Sequence, residues 1–177
     1  MKNLSRLFLA FLITGILFSG CKDALDVTFM ADYTSDLPIV VSPSTLKSTN
    51  GTFSSVTTID PLSNSDMADY ANNIQSIEIL EVTGTILSVD NNAVLQTGNL
   101  SLISAGLPTA SWTETNQPVQ AGTVYTLGND DGQLEKLSNI LSSKNVFTVE
   151  FSGTTDLDDV TFTMQVFIRA KVVANPL

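Results

Sequence analysis

Histidine is absent from all 177 residues, and cysteine occurs once, at Cys21. The first absence removes the commonest general base and the commonest metal ligand. Together the two exclude a Ser–His–Asp triad, a Cys–His pair and a zinc site built from His and Cys. A single cysteine cannot form an intramolecular disulfide, so the fold must rest on its core. Positive charge is scarce: eight Lys and Arg stand against eighteen Asp and Glu, a formal net charge of −10. This excludes nucleic acid, which is bound by basic residues that displace counterions. It also excludes a polybasic contact with anionic headgroups. A cation, or a basic partner, stays compatible with the charge. No glycine-rich phosphate loop occurs.

Long apolar runs are missing too. Leu7–Leu17 (LFLAFLITGIL) has eleven residues, too short for a spanning helix, which needs about 20. Lys2 and Arg6 precede it, and Phe18-Ser19-Gly20 leads from it into Cys21. Basic region, apolar run, small residues and a cleavage point make the pattern of a secretory signal peptide. With Cys directly after Ser-Gly, residues 18–21 resemble the lipobox of bacterial lipoprotein precursors. The position usually held by Leu, three before the Cys, is here Phe18. The resemblance implies a signal peptide over residues 1–20, a diacylglycerol on the Cys21 sulfur, cleavage before Cys21 and acylation of the new amine. It therefore implies a membrane partner through the lipid, since two or three acyl chains anchor stably. Lys22 follows the Cys, and no Asp stands there to signal retention in the inner membrane. The expected location is the cell envelope, in the outer membrane rather than the inner. Cleavage removes two positive charges and no negative one, so the mature chain is more acidic still.

Residues 21–177 suit a single domain. Thr, Ser, Val and Asn are abundant, which favours strands and turns. Leu25, Val27, Phe29, Ala31 and Tyr33 alternate with polar residues and predict a strand. Leu37–Val41, between Pro38 and Pro43, predicts an edge strand or an irregular segment. Further strands are expected at 53–59, 77–89, 93–104, 111–115 and 122–127. In the second of these, the apolar phase switches near Ile79-Leu80, which predicts a bulge. Thr85–Val89 and Ala93–Thr97 flank Asp90-Asn91-Asn92 and are expected to pair as a hairpin. Phe147–Phe151 and Val160–Val172 alternate cleanly and are likewise expected to pair, across the loop 153–159, the second as a central strand. Two short helices are predicted. One places Met67, Tyr70, Ala71 and Ile74 on one face; the other places Leu134, Leu137, Ile140 and Leu141 on one face, with Asp130 as N-cap and Gln133 at N3.

Seven to nine strands and two short helices predict a mainly β fold, an antiparallel β-sandwich, with a closed β-barrel as the alternative. The order of elements resembles small envelope lipoproteins of unknown function that carry immunoglobulin-like or late-embryogenesis-abundant-like sandwiches. That resemblance implies no activity and no cofactor.

Candidate chemistry is thin. Asp156, Asp158 and Asp159 cluster in one loop and could contribute oxygens to Ca²⁺. Calcium takes six to eight oxygens, however, so a solvated loop bonded to backbone N–H groups is favoured over a metal site. Asn129, Asp131 and Gly132 match three positions of an EF-hand loop, but Leu127 and Ser138 stand where its end carboxylates belong. Glu78, Glu81, Glu114 and Glu150 offer carboxylates for a glycosidase, with no motif that selects a pair. Trp112 and Phe167 are the candidate ligand-binding aromatics, Phe167 because it lies on the polar side of the best strand. The function expected is a lipid-anchored envelope binding or scaffold module without catalytic activity. The alternatives are a surface glycan-binding protein and a subunit of a surface assembly that uses an edge strand.

Overall fold

The computed structural model describes residues 26–43 and 50–175. The signal peptide, Cys21 and most of the expected tether lie outside the described residues. The chain forms nine strands: β1 (Val27–Val40), β2 (Ser42–Pro43), β3 (Gly51–Ile59), β4 (Ile74–Val89), β5 (Ala93–Ile103), β6 (Ala110–Val119), β7 (Val124–Thr126), β8 (Phe147–Thr155) and β9 (Thr161–Ala174). Among the described residues there are also two helices, α1 (Ser65–Asp69) and α2 (Gln133–Ser142), each preceded by a single 3-10 turn. The strands make two antiparallel sheets, a four-stranded one in the order β1-β9-β4-β7 and a five-stranded one in the order β2-β3-β8-β5-β6. The sheets do not close into a barrel. The fold is a β-sandwich.

One hydrophobic cluster fills the space between the sheets. From β9, Phe162, Met164, Val166, Ile168, Ala170 and Val172 all point into it. This strand lies between β1 and β4, the central position its alternation predicts. The ring of Phe53 bridges the layers: it is 5.0 Å from Phe151 in its own sheet and 5.6 Å, edge-on, from Phe162 in the other. Room for that ring comes from Gly153, and its register partner Gly98 makes room for Phe151. A Cβ at Gly153 would overlap the Thr97 carbonyl and press on Phe53. Both strands run straight through these glycines, although glycine alone reads as a break.

β1 is a single strand of fourteen residues, where two shorter segments are predicted. Its inward phase runs unbroken from Ala31 and Tyr33 through half-buried Ser35 to Leu37 and Ile39. Pro38 is tolerated because β1 is an edge strand that needs its ladder bonds on one side only. The same reason lets β6 pass through Pro118, which the sequence places at a strand end. The bulge expected in β4 is present: its register against β9 slips between Ile79 and Glu81.

Both expected hairpins are corrected. β4 pairs with β9 and β7, while β5 pairs with β6 and β8. β8 pairs with β3 and β5, and β9 with β1 and β4. The segments 90–92 and 156–160 are therefore corners that carry the chain from one sheet to the other. A clasp of two hydrogen bonds fixes each corner. Asp90 donates its N–H to the Thr161 carbonyl (3.1 Å) and accepts the Thr161 N–H on Oδ1 (2.8 Å). Asp156 does the same with Val94, at 3.0 and 2.7 Å.

The helices also differ in detail. α1 spans five residues, capped by the Asn64 carboxamide on the Met67 N–H, and Ile74 already belongs to β4. At α2 the N-cap position is Gly132 rather than Asp130, and the side chain that caps the first turn is Asn129. Asp131 and Gly132 adopt left-handed φ of 53° and 70°, so helical geometry starts only at Gln133. Asn129 reaches over this kink to accept the Leu134 N–H at 2.9 Å and to donate to Glu135 at 3.0 Å. The predicted apolar face survives, with Leu137, Ile140 and Leu141 fully buried.

Candidate functional site

The flanks of the sandwich are sealed by side chains. On one flank β3 lies beside β1: Ser55 donates to the Pro38 carbonyl at 2.7 Å, and the Ser35 and Thr57 hydroxyls meet at 3.0 Å. On the other flank β7 covers only Thr83–Thr85 of β4. There α2 bridges the two sheets. Ser138 donates to the Ile77 carbonyl of β4 at 2.6 Å, and Gln133 accepts the Ser111 N–H of β6 at 2.8 Å. The rest of the β6 edge is bent by Asn116, at φ 54°, and interrupted by Pro118. Bends, prolines and covering helices are the devices that stop strand edges from pairing with other chains. They leave little edge for the strand-addition alternative.

The candidate aromatics fall in different places. Trp112 is 7% exposed, and its indole N–H donates to the Gly128 carbonyl at 2.7 Å. It is a core residue and offers no platform to a ligand. Phe167 is half-buried on the outer face of the four-stranded sheet. The Arg169 guanidinium carbon lies 5.2 Å from its ring centroid, a cation–π arrangement. Thr34 and Thr83 are its neighbours in register. Its surroundings are thus a charged strand face rather than a second apolar layer.

The carboxylates are dispersed. Among the described residues no three acidic or cysteine side chains converge to hold a metal ion. Asp156 is engaged by Val94 in the corner clasp. Glu78 pairs with Lys171 at 3.6 Å, and Glu81 lies 3.9 Å from Arg169, both on the outer face of the four-stranded sheet. Glu150 points outward from the opposite sheet, and Glu114 accepts a hydrogen bond from Gln117 at 3.2 Å. The sandwich core separates Glu150 from Glu78 and Glu81.

Cavities are small or shallow. One interior gap of about 10 Å³ lies between the sheets, lined by Gly84, Gly98, Trp112 and Tyr125 among others. That is room for about one water molecule. An open polar hollow of about 540 Å³ lies beside α1, where Asp60, Ser63 and Asn64 already serve as caps or turn bonds.

The two outer faces contrast in charge. On the four-stranded sheet Arg169 makes a two-pronged contact with Asp32, both bonds at 2.9 Å. That hydrogen-bonded pairing, with the charge of the guanidinium, holds the Asp32 carboxyl below its ordinary range. Gln165 donates to Asp36, and Lys171 faces Glu78. On the five-stranded sheet the register builds ranks of neutral polar side chains. Thr52, Thr154, Thr97 and Thr115 form one rank across four strands, and Ser54, Ser152, Asn99 and Thr113 the next. Lateral bonds join Thr97 to Thr154 at 2.9 Å and Asn99 to Thr113 at 3.2 Å, and Ser101 donates to Asn99 along β5 at 2.7 Å. The Ser/Thr richness of residues 53–59 is visible in the sequence. Their alignment with β5, β6 and β8 depends on pairings that no local pattern specifies.

No protein-family model matches the chain, and no curated protein sequence matches it. Among solved structures it is similar to the decameric BFDV capsid protein, at 8% identity over 83% of this chain and 99% of that one, with a TM-score of 0.45. It is also similar to a structure of Desmodium yellow mottle tymovirus, at 8% identity over 85% and 90% of the two chains, with a TM-score of 0.27.

Proposed function

We propose that this chain is a lipid-anchored module of the bacterial cell envelope that binds or organises a partner and performs no catalysis. The observation that carries this reading is the run Phe18-Ser19-Gly20-Cys21, followed six positions later by the first strand of the sandwich. Five residues separate Cys21 from Val27 and reach at most about 18 Å when fully extended. Such a tether holds the domain close to the membrane that carries its lipid. The dispersal of the carboxylates and the shallow cavities support a binding role over a chemical one.

Metabolic labelling of the full chain with a palmitate analogue, followed by detergent phase partition and separation of inner from outer membranes, tests the proposal. The expected result is label on the wild-type chain, recovery in the detergent phase and enrichment in the outer-membrane fraction. Cys21→Ser is expected to lose the label and move to the aqueous phase. An unlabelled wild-type chain that partitions with water would overturn the reading.

A further inference from the structure

The outer face of the five-stranded sheet is unusual for a chain of this charge. Among the side chains that β3, β5, β6 and β8 point outward, Glu150 is the only charged one. The opposite face of the same sandwich carries Asp32, Asp36, Glu78, Glu81, Arg169 and Lys171. Solubility alone calls for charge on both faces, and a chain with a net charge of −10 has acidic residues to spare.

We infer that the Ser/Thr/Asn ranks of this sheet are a docking surface for a neutral polysaccharide chain. The inference deepens the reading of the protein as an envelope binding module by naming the partner's chemistry. Three observations carry it. First, the face carries a single charge, Glu150, on a strongly acidic molecule. An anionic polymer is repelled by the whole protein, and a cationic one meets its carboxylates on the other sheet, so the partner suited to this face is uncharged. Second, the hydroxyls are ordered. Strand spacing makes each rank about 14 Å long across four strands, and the two-residue repeat sets the two ranks about 7 Å apart, room for more than one sugar ring. The bonds Thr97–Thr154, Asn99–Thr113 and Ser101–Asn99 fix their orientation, and each hydroxyl keeps further donor or acceptor capacity for a ligand. Third, Val56 and Ile103, 59% and 39% exposed, lie on the same face beyond the second rank. Sugars present C–H faces as well as hydroxyl edges, and these two side chains offer contact to the former.

The twist of the sheet selects the form of the partner. Neighbouring strands rotate by about 20–25°, so four strands turn the ranks well out of plane. A rigid crystalline surface cannot follow that curve, whereas a single flexible polysaccharide chain can.

Native affinity electrophoresis of the full-length chain in mild detergent tests the inference. Gels contain mannan, laminarin, dextran or xylan as neutral probes, and alginate as an anionic control. Retardation by at least one neutral probe and not by alginate is expected. Thr113→Glu and Ser152→Glu place charge on the face and are expected to reduce that retardation at least five-fold. Thr34→Glu, on the already charged face, is expected to leave it unchanged. Circular dichroism of each variant confirms that the fold is intact. Free mobility in all four neutral probes would overturn the inference, as would retardation indifferent to Thr113→Glu and Ser152→Glu. A concentration-dependent dimer abolished by these same two variants would also overturn it, by assigning the face to a second copy of the chain. None of these outcomes bears on lipid attachment, which the palmitate label reads separately.

Discussion

At the scale of single residues, buried polar groups show how tightly this sandwich specifies its interior. Tyr125 is buried between the sheets and donates its hydroxyl to the Pro118 carbonyl at 2.8 Å. Burial, with the nearby Glu114 charge, pushes its phenol up to about 12. Tyr33 donates to the Pro61 carbonyl and is raised for the same first reason, burial. A phenol whose pKa is higher folded than unfolded contributes stability below the unfolded value near 10.0, and that contribution fades as pH rises toward 12. Tyr125→Phe removes one hydrogen bond and leaves the Pro118 carbonyl unpaired, at an expected cost of about 1 kcal/mol at neutral pH. Denaturant midpoints measured from neutral to strongly alkaline pH should show the variant's deficit shrinking above pH 10. Parallel curves for the two proteins would mean that the Tyr125 proton is not held by the fold. No sequence pattern names a partner for Tyr33 or Tyr125, because Pro61 lies in the 3-10 turn before α1 and Pro118 on β6, a strand of the other sheet from Tyr125.

At the scale of elements, strands were legible where a single strand's own pattern decides and illegible where pairing decides. The alternation along β9 announces both its inward face and its central position, because a strand flanked on both sides keeps a strict phase. The bulge in β4 is legible for the same reason, as a slip in that phase. The corners 90–92 and 156–160 are not, since a short polar connection can close a hairpin or cross between layers. What decides is whether the corner residues bond back to their own strand pair or to the adjacent corner. Here Asp90 clasps Thr161, and Asp156 clasps Val94, so each crossing is tied to the strand that starts at the other. The loop aspartates that suggested calcium are thus in part structural, with Asp156 an acceptor of backbone N–H. Asp156→Ala removes that acceptor and is expected to cost about 1 kcal/mol. Asp156→Asn keeps an oxygen in the same place and is expected to cost less than half as much. Hydrogen exchange at the Val94 amide should accelerate in the first variant and change little in the second. Equal effects in the two variants would point to the charge, rather than the clasp, as the contribution of this side chain.

At the scale of the molecule, the topology ties the first described strand to the last. Val27 is the register partner of Ala174, and Val40 of Thr161, so β1 and β9 pair along their whole length. β9 also supplies the ladder for β4, which leaves the four-stranded sheet without a middle until residues 161–174 are available. The five-stranded sheet has no such dependence, since β2, β3, β5, β6 and β8 all precede residue 156. Its inner face, however, packs on the four-stranded sheet in one shared core, with Phe162 of β9 against Phe53. An isolated sheet with an uncovered apolar face has no independent stability, because the conformational entropy of ordering it is not offset by burial. Chains that end before Thr161 are therefore expected to lack a folded core altogether, rather than to retain half of one. Limited proteolysis checks this: the full chain should leave a resistant fragment that ends beyond Thr161, and a chain stopped at Val160 should be degraded throughout. A resistant fragment spanning β3 to β8 in the truncated chain would show that the five-stranded sheet folds alone. Pairings between distant residues also slow folding, into the millisecond-to-second range typical of β-sandwiches.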